Sequence, residues 1–538
     1  MKISLLGTLA AVTLALAQPA SGHENQTPEH QKSENETPEW WYASGEREVA
    51  RRREKLDAPQ ARNLILFIGD GMSVATVSAA RILAGQQAGG SGEEYRLSFE
   101  NFRHTALART YNTDQQTPDS AGTMTAMATG VKSFGGAIAV DQRAVRGDCE
   151  SMAGTERPSL IELAAAAGLT TGVVTTTRIT HATPAALFAK SPERGWESDT
   201  AMPPSAREAG CRDIARQLVE FDLDGPIDVV LGGGRAAFVP TDVEDPEYPA
   251  RNGQRSDGVN LIERWQQRYP DGYWAWNRQG FDAIEPGFEG PVLGLFEPSH
   301  MQYEHDRALD PGGEPSIAEM SIKALELLQA RAESGYVLVV EGGRIDHAHH
   351  AGNAYRALTD TIAFADAVAA ARARVDLDET LIVVTADHGH ALHFSGYSQR
   401  GRPILGLAHG TGLAGGEPRV ARDQDGKPYT TLSYINGPGF RPGPRPDYED
   451  IDPHDPDFRQ EALVGLASST HSGEDVVVYA IGAGAEVLYG SIEQHLIFHA
   501  LLQAQARISA LADAIRNDAG LPDWQRLLAR VRAQDSPD

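Results

Sequence analysis

Asp70, Glu341, Asp346, His350, Asp387 and His388 are residue types that bind divalent metals, and each lies in or just beyond a short apolar run. Asp70 ends the run 62–68, Glu341 and Asp346 follow 336–340, and Asp387-His388 follow 380–385. His350 comes four residues after Asp346, a spacing that puts both side chains on one face of a helix. Carboxylate with imidazole suits zinc, whereas further carboxylate and hydroxyl oxygens suit magnesium, so a cluster of this kind implies more than one metal. A nucleophile is offered by Ser120 in Thr117-Pro118-Asp119-Ser120-Ala121-Gly122-Thr123-Met124. The small residues after it predict a tightly packed helix whose unsatisfied N–H groups would stabilise an anion on Ser120. Taken singly, a serine here is usually a helix cap and an Asp after a strand usually a turn residue. Their recurrence at successive strand ends favours a site.

The elements that must position these residues follow from hydrophobic patterning. The runs 62–68, 170–176, 227–231, 336–340 and 380–385 are apolar on both faces, and helical stretches at 160–167, 316–332 and 357–373 alternate with them. Such alternation predicts an α/β fold with a mostly parallel central sheet and helices on both faces. Ligands of such sheets bind beyond the carboxyl ends of the strands, which is where the candidate residues fall. Residues 239–310, rich in Pro, Gly, Trp and Tyr, and 395–457, rich in Gly, Pro and Arg, break the alternation and read as insertions. One large domain over 40–538 is expected to carry both.

The chain has 538 residues, 41% of them hydrophobic, enough for a sizeable core. With 48 Lys plus Arg against 74 Asp plus Glu, its formal charge of −26 argues against nucleic-acid binding, which needs a basic face. Residues 1–20, with Lys2, an apolar run and a small-residue end, read as a signal peptide too short to span a bilayer. Export to the periplasm or medium, without a membrane anchor, is the expectation. Residues 21–39 are polar and read as a flexible leader, followed by a charged helix over 39–55. The two cysteines, Cys149 and Cys211, are expected to form one disulfide in an oxidising compartment.

Residues 63–71 and 119–130, Glu341-Gly342-Gly343-Arg344-Ile345-Asp346-His347-Ala348-His349-His350, Thr385-Ala386-Asp387-His388-Gly389 and Thr470-His471-Ser472-Gly473-Glu474-Asp475 together resemble, in order, the signature segments of the alkaline phosphatases. The resemblance implies hydrolysis of small phosphate monoesters at alkaline pH through a phosphoserine at Ser120. It implies one zinc held by Asp346, His350 and His471, a second by Asp70, Asp387 and His388, and a magnesium by Asp70, Thr183 and Glu341. Arg194 matches the phosphate-binding arginine, with Asp119 beside it to orient it. His181 and His347 stand where the best-known bacterial pattern has Asp and Lys, matching animal-type and some marine bacterial enzymes instead. An imidazole there leaves the third site open to zinc as well as magnesium. Leu295-Phe296-Glu297-Pro298 and Asp245-Pro246-Glu247-Tyr248-Pro249 resemble segments that hold an additional calcium in animal-type enzymes, through Glu247, Glu297, Asp310 and the Phe296 carbonyl. Residues 395–457 resemble the crown insertion of those enzymes, which implies a homodimer.

Overall fold

A computed structural model of the chain describes residues 36–56, 58–223, 225–412, 416–448 and 451–534. The expected signal peptide, and the leader up to residue 35, lie outside them. The first described helix is Pro38–Leu56, so the charged helix starts inside the stretch expected to be leader.

Strand β1 (Asn63–Gly69) is buried at all seven positions, as are β7 (Tyr336–Gly342) and β8 (Thr380–Ala386). Because successive side chains of a strand point to opposite faces, burial at every position means that both faces of the sheet are covered there. Register then places the chemistry. Ile68 lies opposite Glu341 on one side and Thr385 on the other, and Gly69 opposite Gly342 and Ala386. The three strands therefore finish in step, and Asp70, Glu341 and Asp387 emerge along one edge.

Among the described residues the main sheet has ten strands in the order β17-β2-β16-β8-β1-β7-β3-β4-β6-β5. The others are β2 (His104–Arg109), β3 (Thr170–Arg178), β4 (Val229–Gly233), β5 (Tyr273–Ala275), β6 (Val292–Leu295), β16 (Val476–Gly482) and β17 (Gly490–Glu493). All pair in parallel except β16, which runs against both β2 and β8. Two of these strands, β5 and β6, come from the segment 239–310 and extend the sheet beyond β4, so that segment is partly built into the sheet. Helices Ile317–Arg331 and Ala354–Arg372 pack on one another, the second also against Val74–Gln87.

Short strands after β8 form three smaller sheets. A pair joins β9 (Gly389–His390) to β15 (His471–Ser472), bringing His471 across to the end of β8. A second joins β10 (Leu392–Phe394), β13 (Leu432–Gly437) and β14 (Ala462–Gly465), and a hairpin joins β11 (His409–Gly412) to β12 (Gly416–Val420). The disulfide Cys149–Cys211 is present, with Cα atoms 5.9 Å apart. Among the described residues no helix is long and apolar enough to cross a membrane.

Candidate active site

Ser120 opens the helix Ser120–Thr129, all ten residues of which are buried. Its small side chains permit the close fit: a Cβ on Gly122 would come within 2.6 Å of the Asn112 side chain. The cap itself is Asp119, whose Oδ1 accepts from the Gly122 N–H at 3.0 Å. Ser120 is thus the first helical residue and not the capping one, and its Oγ lies 3.1 Å from His388 Nε2. The other Asp119 oxygen accepts from Gly136 N–H at 3.0 Å and from Arg194 Nη1 at 3.2 Å. Burial opposes charge on Asp119, but Arg194 and the backbone donors outweigh it and hold the carboxyl below its usual range.

Around Ser120 three imidazoles share one arrangement. Each uses Nδ1 outward on a carbonyl: His388 on Gly389 O at 3.0 Å, His471 on Pro118 O at 2.8 Å and His350 on Ser469 O at 2.5 Å. A carbonyl can only accept, so Nδ1 carries the proton and Nε2 keeps its lone pair, the tautomer of a metal ligand held by a partner on its far side. Those Nε2 atoms converge on carboxylates. His350 Nε2 lies 3.2 Å from Asp346 Oδ2 and His471 Nε2 3.4 Å from Asp346 Oδ1, while His388 Nε2 is 3.4 Å from Asp70 and 3.3 Å from Asp387.

The carboxylates are short of partners. Both oxygens of Asp70, Oδ1 of Asp346, Oδ2 of Asp387 and Oε1 of Glu341 are buried without a hydrogen bond. Burial, then the neighbouring acids, pushes Asp70 well above its usual range and Asp387 up to about 6. Burial also carries Glu341 up to about 7, against hydrogen bonds from Thr175 and Thr177. Converging acids with unused oxygens and imidazoles with inward lone pairs are costly to bury alone and fit divalent cations. The backbone is shaped for this approach: Gly71 has φ +67°, and a Cβ there would sit 3.1 Å from Asp346 Oδ1.

His390, absent from the sequence-based set, joins Asp346, His350 and His471 with donor atoms all within 4.8 Å. Its chemistry differs from theirs. Nδ1 accepts the Ala391 N–H at 3.0 Å, so Nε2 bears the proton; it lies 3.6 Å from Asp346 Oδ1, beyond hydrogen-bond reach. His390 therefore turns an N–H toward Asp346 and offers no lone pair. Strand-like alternation from His388 would have flagged it, since residues two apart share a face.

His181 lies with Asp70 and Glu341 in a second such group. Arg194 Nη2 stands 3.0 Å from His181 Nε2, and a guanidinium only donates, so that nitrogen accepts and Nδ1 holds the proton. His347 is gripped likewise at Nδ1 by Arg344 Nη1 at 3.1 Å, and its ring packs against those of His181 and His300. Burial, then Arg344, pushes His347 down to about 3. His349 is occupied in the core by Thr76 and Tyr434 at 2.9 and 2.8 Å.

Elsewhere, Glu247, Glu297 and Asp310 gather ligand oxygens within 4.8 Å of one another, beside the buried Phe296. Tyr248 OH bridges Glu297 and Asp310, and Arg235 Nη2 engages Glu247 at 3.0 Å. Glu314, a carboxylate the sequence reading did not single out, stands by them and is pushed up to about 9 by burial and then by Glu297 and Asp310.

A mostly parallel sheet whose strand ends carry these ligand sets beside a helix-borne serine defines a metal-dependent hydrolase of the α/β class. The sequence profile described as "Alkaline phosphatase" matches residues 61–507. The chain is 42% identical to an alkaline phosphatase of Gadus morhua, covering 90% of this chain and 98% of that one. It is 40% identical to the tissue-nonspecific isozyme of Homo sapiens, covering 89% of each. In fold it is similar to the alkaline phosphatase of the Antarctic bacterium TAB5, with a TM-score of 0.56 at 21% identity over 83% of this chain and 99% of that one. The Thermus thermophilus alkaline phosphatase gives 0.60 at 23%, over 88% and 96%. The chain belongs to the alkaline phosphatase family.

Proposed function

We propose that this chain hydrolyses phosphate monoesters at alkaline pH in two steps through a phosphoserine at Ser120. The observation that carries the reading is the convergence of three inward Nε2 atoms and the Asp70, Asp346 and Asp387 carboxylates beside Ser120 Oγ. Asp346, His350 and His471 would hold one zinc and Asp70, Asp387 and His388 another. With Arg194 occupying Nε2 of His181 and the proton on Nδ1, the third site keeps only the oxygens of Asp70, Thr183 and Glu341, a donor set that suits magnesium over zinc. Bound there, the ions would neutralise charge on the transferring group and favour the deprotonated forms of the serine hydroxyl and the attacking water.

The chain's own groups supply alignment. Arg194 presents its fork to two phosphoryl oxygens while Asp119 fixes its angle. Ser120 Oγ bonds to phosphorus as the ester oxygen departs with its electron pair and is protonated to the alcohol. The N-terminus of the Ser120 helix favours the charge that develops at Oγ. A water oxygen then attacks phosphorus, the Ser120 O–P bond breaks, and the proton returns to Oγ as inorganic phosphate leaves.

Glu247, Glu297, Asp310 and the Phe296 carbonyl are proposed to hold a calcium. Residues 395–457 are proposed to serve a homodimer, and residues 1–20 to direct export of the catalytic domain 40–538. The test is p-nitrophenyl phosphate hydrolysis from neutral to alkaline pH, before and after chelation and with zinc and magnesium restored. Activity that chelation abolishes and metal restores, lost in Ser120→Ala with the fold retained, supports the reading. Inactive, fully metallated protein, or an active Ser120→Ala, would sink it.

A further inference from the structure

Helix Arg344–His350 carries His347 and, on the same face one turn to either side, Arg344 and Ala351. Arg344 and Ala351 line a cleft of about 420 Å³, walled by Tyr303 and Asp306 on one side and by Asp457 and Arg459 on the other. Its charges do not balance. Arg356 binds both acids, Asp306 at 2.7 Å and Asp457 at 2.8 Å. Arg344 has no carboxylate in ion-pair reach among the described residues: its guanidinium lies 3.7 Å from the centre of the Tyr303 ring, and its buried Nε has no hydrogen-bond partner. Burial pushes Asp360, an acid within electrostatic reach of Arg344, up to about 8. Arg459 is exposed and makes no ion pair among the described residues.

We infer that this cleft is an anion subsite that takes a second phosphate group carried on the leaving group of the substrate. The inference rests on the hydrolytic reading above. From Arg194 the path runs through His181, then His347, to Arg344: 3.0 Å from Arg194 to His181, 5.4 Å between the two ring centroids and 3.1 Å from His347 to Arg344. Two imidazole rings stand between the two guanidiniums. With two rings intervening, phosphates at opposite ends of a sugar are favoured over phosphates joined through one oxygen. Arg344 and Arg459 would grip the distal phosphate by paired donors, as planar guanidiniums do. The chemistry is unchanged: the phosphate at Ser120 is transferred to water, and the bridging ester oxygen leaves on the sugar, with its distal phosphate intact.

The experiment compares fructose 1,6-bisphosphate, fructose 6-phosphate and p-nitrophenyl phosphate on the metal-loaded wild type, Arg459→Ala and Arg459→Glu. Arg459 is at the surface, outside the proposed catalytic machinery, so both variants should fold. The expected result is a lower KM for the bisphosphate in the wild type, raised about threefold in Arg459→Ala and further in Arg459→Glu, with kcat and the p-nitrophenyl phosphate KM unchanged. A bisphosphate KM indifferent to Arg459, or KM values that rise equally for all three substrates, would overturn the subsite alone. Failure of the wild type on p-nitrophenyl phosphate would overturn the catalytic reading, and the subsite with it.

Discussion

Two histidines two residues apart, His388 and His390, show how far a side chain's job depends on which nitrogen is spoken for. His388 turns its lone pair to Asp70, Asp387 and Ser120, whereas His390 spends its own on a backbone N–H and leaves an N–H 3.6 Å from Asp346. Removing a group that stands directly behind a metal ligand typically costs ten- to a hundredfold in metal affinity. His390→Ala should therefore lower zinc retention at the Asp346 set by about that factor, read as zinc content against a competing chelator, with the Asp387 set little changed. Equal loss from both sets would refute the assignment. Asp70, Glu341, Asp346, His350, Asp387 and His388 were legible because carboxylates and imidazoles soon after apolar runs are conspicuous, whereas His471 and Thr183 entered only through the family resemblance. The role of His390 was not legible, because tautomer is decided by tertiary contacts that spacing does not encode. Ser120 lay between the two: the sequence marked the helix start but left cap and first residue unresolved, and Asp119 takes the cap.

The N-terminal helix Pro38–Leu56 docks on helix Leu496–Ala504 through a glycine notch. A Cβ on Gly45 would lie 2.3 Å from His499 Cδ2 and 2.9 Å from His495 Cδ2, so any larger residue forces the helices apart, at about 1–3 kcal/mol. His499 Nε2 in turn reaches the carbonyl of Gly130, the cap that closes the Ser120 helix. Burial, then the Lys132 charge, pushes His495 down to about 3, and burial holds His499 well below its usual 6.5. A histidine whose pKa is lower folded than unfolded stabilises fully above the unfolded value and loses that contribution as pH falls. The docked helix should therefore loosen as pH drops from about 6.5 toward 3. Limited proteolysis within 38–56 against pH, compared between wild type and His495→Gln, measures it; an identical acid limb in both would discount His495. The charged helix itself was legible, but its partner more than 400 residues away was not.

At the scale of the molecule, Cys149–Cys211 closes a loop with a sequence separation of 62 that contains His181, Thr183 and Arg194. Chain-entropy reasoning gives such a closure about 4 kcal/mol. The Cys149→Ser, Cys211→Ser double variant should unfold at a correspondingly lower denaturant midpoint, and reductant should shift the wild type to match. No shift would mean that the native contacts alone define the loop. The parallel core was readable because β1, β3, β7 and β8 are buried on both faces and alternate with helices. The reversal of β16 was not, since an apolar run looks the same in either direction and its connections set its sense.

The position of β1 reaches further than geometry. It is the first strand made, yet both its neighbours, β7 and β8, begin more than 270 residues later. A nascent chain therefore carries the sheet's central strand unpaired until synthesis passes residue 342, and with one edge open until it passes residue 386. Assembly of this fold is dominated by distant contacts, which makes it slow and late and leaves an apolar edge open meanwhile. The strand that aligns the catalytic edge in the finished molecule is, during synthesis, the one most in need of protection.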